Sequence, residues 1–276
     1  MNTNVRKRED GDRGAPPDAF ASPIAKGVSV NTELTNCADG ANCSTRRTAL
    51  RVVLAAPLVL AGAASMRDAA AQALTKEQRD KLTPDQVIDL LKQGNARFRS
   101  GKMRAHDYVA QKKATAGGQY PAAAILSCID SRAPAEIIFD AGIGDTFNAR
   151  VAGNIANDDL IGSLEFACAA AGAKLILVMG HTACGAIKGA IDNVELGNLT
   201  GLLEKIKPAI AATTFTGEKS SKNDAFVDAV AATNVRRAVE EIRTRSSVLA
   251  GLEKDGKIKI VGSMYHLVGG RVEFLV

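Results

Sequence analysis

The chain has 276 residues, of which 46% are apolar, 24% charged and 4% aromatic. These proportions are ordinary for a globular protein and exclude a disordered chain, a collagen-like repeat and a disulfide-dense scaffold. The net charge is +5, from 35 Lys and Arg against 30 Asp and Glu, and the scattered basic residues are weak evidence for nucleic-acid binding.

The first 73 residues have the composition of an export leader. Residues 1–40 lack apolar periodicity, so we expect them not to fold by themselves. Arg46-Arg47 precedes an uncharged, mostly apolar run over residues 52–65, an arrangement that resembles the twin-arginine export signal. Ala71-Gln72-Ala73 then forms a small-x-small site that a signal peptidase can cut.

The apolar run has two other interpretations, which its residues disfavour. As a membrane anchor, its 14 residues would reach only about 21 Å, short of the roughly 30 Å hydrocarbon core. As a buried helix, it would have to accommodate Pro57 and the charges on its flanks. We therefore predict a disordered region and signal peptide over 1–73 and one folded domain over 74–276. The predicted location is periplasmic or otherwise exported, and cytoplasmic if the leader is not functional.

Downstream of the leader, helical and strand patterns alternate. A helix start is indicated at Thr83, which can act as N-cap, with Pro84 at the first helical position and Gln86 completing a capping box. Strands that alternate with helices indicate an α/β fold with a mainly parallel central β-sheet flanked by helices. The later predicted elements are a strand over 122–127, a helix over 134–140, a strand over 146–150, a helix over 159–171 capped by Asp158 or Asp159, a strand over 175–179, helices over 199–211 and 224–247, a strand over 257–264 and a hairpin strand over 271–275.

Three cysteines remain in the predicted mature domain, which is an odd number for an oxidising compartment. Cys168 is predicted to be a small apolar residue on a buried helix face. Cys128 follows the first predicted strand, and His181 and Cys184 follow the third, so these three residues should meet at one edge of the sheet. Two thiolates and an imidazole suit Zn²⁺ and leave a fourth position open, as in catalytic zinc sites. The sequence therefore predicts one Zn²⁺ per subunit.

The motifs around these ligands resemble those of the β-class carbonic anhydrases. The likeness covers residues 82 to the C-terminus, the whole predicted domain. It implies a zinc-dependent lyase that reversibly hydrates carbon dioxide to bicarbonate and a proton, through attack by zinc-bound hydroxide. The matching segments are Cys128-Ile129-Asp130-Ser131-Arg132, His181-Thr182-Ala183-Cys184, Gly94-Asn95-Ala96-Arg97-Phe98, residues 134–140, Ala152-Gly153-Asn154, Gly162-Ser163-Leu164-Glu165, Gly262-x-x-Tyr265 and residues 270–275.

The same resemblance implies roles for two residues beside the metal. Arg132 is expected to pair with Asp130, and Asp130 to accept a hydrogen bond from the zinc-bound hydroxide. An arginine that bonds both carboxylate oxygens has the geometry to hold such a group still. A purely structural ion pair beside the metal remains the alternative.

Three further residues resemble substrate contacts of the family. Gln119 lies nine residues before Cys128, where the plant-like subtype has a glutamine that donates to a carbon dioxide or bicarbonate oxygen. The other subtype has a tryptophan at the position of Ile125, and this chain has no tryptophan. Phe147 resembles an apolar residue of the carbon dioxide pocket, and the Gly185 amide is expected to help bind a substrate oxygen. The alternatives are a turn residue for Gln119, plain core for Phe147 and a turn into the next helix for Gly185.

The family is built on dimers with sites near the subunit interface, so the resemblance implies a homodimer or tetramer. We expect no nucleic-acid partner, no stable membrane anchor and only transient contact with export machinery.

Two other functions stay open: a carbon disulfide hydrolase on the same scaffold, and a non-catalytic zinc-binding protein. Asp130, Arg132 and Gln119 count against the second, because metal binding alone requires none of them.

Overall fold

The computed structural model of the chain describes residues 73–275. The predicted twin-arginine motif, the apolar run and all of the predicted leader except Ala73 lie outside the described residues. Within 73–275, no helix combines the length and the apolar character that a membrane crossing requires.

A five-stranded β-sheet lies at the centre of this region, in the order β2-β1-β3-β4-β5. The strands β1 (Ala123–Ser127), β2 (Thr146–Arg150), β3 (Leu175–His181) and β4 (Lys259–Tyr265) run parallel, and β5 (Val272–Leu275) pairs antiparallel with β4. Every residue of β1 and β3 is buried, which explains their continuous apolar runs without alternation. The predicted α/β fold with a mainly parallel sheet is confirmed.

Helices cover both faces of the sheet. Alternate residues of β1 belong to two separate apolar clusters, Ala124 and Leu126 on one face and Ala123 and Ile125 on the other. The helices are α1 (Lys76–Lys81), α2 (Pro84–Arg99), α3 (Tyr108–Thr115), α4 (Ala135–Ile138), α5 (Asp158–Glu165), α6 (Gly185–Ile191), α7 (Gly197–Glu204), α8 (Lys207–Ala212), α9 (Asp224–Arg245) and α10 (Ser247–Lys254).

Helix α2 begins as its sequence predicts. The Thr83 hydroxyl accepts from Gln86 N, and the Gln86 side chain accepts from Thr83 N. Gly94 lets this helix approach the end of α4 closely, because a Cβ at this position would lie 1.8 Å from the Phe139 carbonyl oxygen. A local capping signal therefore sets where the helix starts, and a glycine sets how closely it packs.

Two predicted helices differ from the structure. Asn157, not Asp158 or Asp159, caps α5, since its side chain accepts from Leu160 N, and the two aspartates occupy the first turn beside the positive end of the helix dipole. The helix predicted over 159–171 ends at residue 165 and continues as a π turn over 166–170. The helix predicted over 199–211 is divided into α7 and α8, because Pro208 lacks an N–H and favours a new helix start.

Candidate metal centre

The three predicted metal ligands lie together at the carboxyl edge of the sheet. Cys128 directly follows β1, His181 is the last residue of the neighbouring strand β3, and Cys184 is the N-cap of α6. Their donor atoms all lie within 4.8 Å of one another, and all three residues are buried. The two sulfurs are 4.0 Å apart, far beyond the ~2.05 Å of a disulfide. Tetrahedral zinc with Zn–S bonds of about 2.3 Å would hold two sulfurs ~3.8 Å apart, so this spacing fits.

His181 presents an unpartnered nitrogen in this cluster. Its Nδ1 lies 2.9 Å from the Thr182 carbonyl oxygen, to which it donates when the proton is on Nδ1. Its Nε2 is buried and has no hydrogen-bond partner among residues 73–275. Leaving a buried polar atom without a partner costs roughly 1–3 kcal/mol of stability. A histidine that binds a metal through one ring nitrogen typically donates the N–H of the other nitrogen to a nearby acceptor, as Nδ1 does here. The orphaned Nε2 therefore fits a metal ligand better than a structural histidine.

The hydrogen bond between the two sulfurs shifts the pKa values of the two cysteines in opposite directions. A hydrogen bond with the Cys184 thiol, helped by the nearby His181 ring, lowers the pKa of Cys128 to about 4 although burial opposes the shift. The same hydrogen bond, together with burial, raises the pKa of Cys184. Both sulfurs must be deprotonated to act as ligands, so a bound divalent cation would replace the thiol protons.

Asp130 and Arg132 form the predicted pair beside the ligands. Arg132 Nε donates to Oδ1 at 2.9 Å and Nη2 donates to Oδ2 at 2.7 Å, and the Arg132 backbone N also donates to Oδ1. These bonds hold the pKa of Asp130 well below its usual range. Oδ2 lies 3.7 Å from His181 Nε2, so the carboxylate faces the cluster while Arg132 holds it from the solvent side.

Two residues that sequence reasoning missed hold the loops that carry the ligands. Arg150 Nε donates to the Cys128 carbonyl at 2.9 Å, and its Nη2 donates to the Asp130 carbonyl at 2.6 Å. Asp228 Oδ1 accepts from Ala183 N at 2.9 Å, which supports the left-handed φ of 52° at Ala183. The sequence carried a signal for Arg150, because this residue ends the predicted strand over 146–150 and so should lie at the same edge of the sheet as the ligands. It carried no signal for Asp228, which lies within the long helix α9.

The three predicted substrate residues are not equally close to the cluster. Gly185 directly follows Cys184 as the first residue of α6. Gln119 precedes the amino end of β1, whereas Cys128 follows its carboxyl end, and the strand alone spans about 16 Å. Phe147 pairs with Ala124, the second residue of that strand, and contacts the ring of Phe166, with ring centroids 6.1 Å apart. Within one chain, Gln119 and Phe147 therefore stand apart from the ligands.

Comparisons with known proteins agree with this site. The sequence profile of the carbonic anhydrase family matches residues 123–272, which include the three ligands and the Asp130–Arg132 pair. A carbonic anhydrase of Mycolicibacterium smegmatis is 35% identical over 185 residues, which cover 66% of this chain and 89% of that protein. The chain belongs to the β-class carbonic anhydrase family. This carbonic anhydrase is an enzyme that interconverts carbon dioxide and bicarbonate.

Solved β-carbonic anhydrases share the fold. One of two tetrameric β-carbonic anhydrases from the ascomycete Sordaria macrospora superposes with a TM-score of 0.51 at 25% identity, over 58% of this chain and 83% of that chain. A carbon disulfide hydrolase of Acidithiobacillus thiooxidans is also 35% identical, but over 77 residues, only 26% of this chain and 36% of that protein. The longer matches are to carbonic anhydrases, so the carbon disulfide alternative is not favoured.

Proposed function

We propose that this carbonic anhydrase binds one Zn²⁺ per subunit through Cys128, His181 and Cys184, and that Asp130 and Arg132 direct the attack on carbon dioxide. The observation that carries the proposal is the convergence of three buried donors on one side of a carboxylate that an arginine bonds through both oxygens. The two sulfurs and one imidazole nitrogen are the donor types that zinc prefers, and three protein donors leave a fourth position for solvent.

When bound, zinc supplies a Lewis acid that lowers the pKa of a water molecule from about 15.7 toward 7. Asp130 is ionised, because the Arg132 bonds keep its pKa low, and it can therefore only accept hydrogen bonds. Asp130 would accept a hydrogen bond from the attacking water, and this bond directs a lone pair of the water oxygen toward the carbon of carbon dioxide. Bond formation between these two atoms gives bicarbonate, and the proton lost from water passes to solvent.

Rapid-mixing measurement of carbon dioxide hydration by the zinc-loaded domain tests this proposal. We expect one zinc per chain and hydration far above the buffer rate, with carbon disulfide hydrolysed more slowly than carbon dioxide is hydrated. A folded protein that holds zinc but does not accelerate hydration would have the properties of a non-catalytic zinc-binding protein. Faster turnover of carbon disulfide would favour the hydrolase instead.

We also propose that the working unit is at least a homodimer with the pocket of the plant-like subtype. Gln119 and Phe147 lie apart from the ligands of their own chain, so they can serve as substrate contacts only across a subunit interface. The absence of tryptophan from the chain, with Ile125 at the position discussed above, supports the subtype. Sedimentation of the active protein is expected to give a dimer or tetramer, and a fully active monomer would contradict the arrangement.

Export is a separate proposal that rests on the sequence of residues 1–73. We propose that the twin-arginine signal directs the chain to the periplasm after zinc has been inserted in the folded domain. Residues 1–75 fused to a folded reporter should carry it out of the cytoplasm. Replacing Arg46 and Arg47 by lysine should keep the reporter inside, and equal export by the lysine variant would contradict a twin-arginine route.

A further inference from the structure

The helix α9 reaches the metal centre through a buried asparagine. Asn234 is only 5% exposed, and its Nδ2 donates to the Gly153 carbonyl oxygen at 2.7 Å. The N–H of Gly153 in turn donates to Cys128 Sγ at 3.4 Å. Asn234 is thus linked through Gly153 to Cys128 Sγ, one of the two candidate ligand sulfurs, although Asn234 lies 81 residues beyond Gly153 in the sequence.

Gly153 depends on these two hydrogen bonds for its orientation. Its φ is 67°, in the left-handed region that glycine enters at no steric cost. A side chain is disfavoured here, because it would be strained at this φ and its Cβ would lie 2.6 Å from Ile206 Cδ1. Glycine has no side chain to pack, so hydrogen bonds to its carbonyl and from its N–H contribute to holding the backbone here. The bond from Asn234 holds the peptide plane that follows Gly153, and this limits the backbone rotations that would turn the Gly153 N–H away from the sulfur.

Asn234 is itself held on a rigid element. The next residue, Val235, packs against Gly180 at the end of β3, where a Cβ would lie 2.6 Å from Val235 Cγ2. Gly180 directly precedes the candidate ligand His181. The backbone of α9 is therefore seated closely on the strand that carries one ligand, while Asn234 supports the loop beside another.

We propose that Asn234 is a positioning residue of the metal centre. It aims the Gly153 N–H at Cys128 Sγ and so sets how much electron density this sulfur donates to the metal. Hydrogen bonds to a metal-bound thiolate withdraw electron density from it, and groups that orient ligands typically change metal affinity by about 10–100-fold. The proposal rests on the proposed metal site.

Two variants test this role without measuring turnover. Asn234→Ala removes the donor, and Asn234→Asp keeps the shape but places a carboxylate oxygen against the Gly153 carbonyl. We expect both to weaken zinc affinity by about 10-fold or more in competition with a chelator. In the cobalt-substituted proteins, the thiolate-to-cobalt charge-transfer band should move to lower energy, because Cys128 then carries more charge.

Asn95 supplies a matched control. It is also 5% exposed, and its Nδ2 donates to a glycine carbonyl, that of Gly270, at 2.9 Å. It has no hydrogen bond to the metal-ligand loops. We expect Asn95→Ala to lower the melting temperature but to leave the cobalt spectrum and zinc affinity of the folded protein unchanged. Folded Asn234→Ala with zinc affinity and cobalt spectrum equal to those of the wild type would overturn the proposal.

The unaltered protein provides a measurement that does not depend on how the variants fold. In protein loaded with an NMR-active cadmium isotope, an N–H···S bond transmits a scalar coupling between the metal and the amide proton. We expect this coupling at Gly153, and its absence would overturn the proposal. A wild-type protein that binds neither zinc nor cadmium would instead contradict the proposed metal site itself.

Discussion

Cys184→Ser is expected to lose most of its zinc and nearly all of its carbon dioxide hydration. A serine hydroxyl stays protonated at neutral pH, whereas a thiolate both carries charge and suits a borderline-soft metal. Removing one of three protein donors also leaves Cys128 and His181 without the third donor that completes the cluster. Metal content after purification with ample zinc, together with the hydration rate, checks this expectation.

Cys168→Ser is the control for that change. Cys168 is buried like Cys184, and burial raises the pKa of its thiol to about 12, so it stays a protonated, apolar side chain. It does not belong to the cluster of possible ligands. This variant should keep one zinc per chain and its hydration rate. If Cys184→Ser held as much zinc as Cys168→Ser, Cys184 would not be a ligand.

Asp130→Ala is expected to keep its zinc and to lower kcat by about 100-fold or more. The carboxylate is not one of the three clustered donors, so metal binding does not require it. Its loss removes the acceptor that orients the attacking water, and the positioning of reacting groups commonly contributes factors of this size or larger. Rapid-mixing kinetics beside metal analysis separates the two effects.

Asp224→Ala is the matched control for the aspartate. Asp224 also pairs with a basic side chain, Lys188 Nζ at 2.9 Å, but its own side chain is 73% exposed. An exposed pair of this kind contributes little, so the variant should keep both zinc and rate. Full activity of Asp130→Ala at every pH would show that the Asp130–Arg132 pair is only structural.

Local sequence patterns predicted some helix and strand boundaries of this fold and missed others. The capping box at Thr83 and the apolar runs of β1 and β3 depend on residues next to one another, so they could be identified directly. The cap at Asn157 was missed because three consecutive polar residues offered equivalent caps, and only the backbone geometry selects one. The break before Pro208 was missed because the apolar pattern continues across it.

The sequence by itself determined that the site has two sulfur donors and one imidazole donor. The direction of the strands placed these donors at the carboxyl edge of the sheet. Cys128, His181 and Cys184 lie at or just after the carboxyl ends of two parallel strands, which share one edge of the sheet, so their convergence was predictable. The Asp130–Arg132 pair was also predictable, because the two residues lie within one short loop. These conclusions need only chemistry and chain direction.

Only the tertiary structure decided which residues support the ligands. Asp228 and Asn234 reach the ligand loops because α9 packs on the end of β3, and that contact joins segments 45 and 81 residues apart. Likewise, the position of Gln119 beyond the opposite end of β1 follows from where the strand runs, not from its distance along the chain. Hydrogen bonds of this kind depend on three-dimensional packing, for which a local sequence pattern carries no signal.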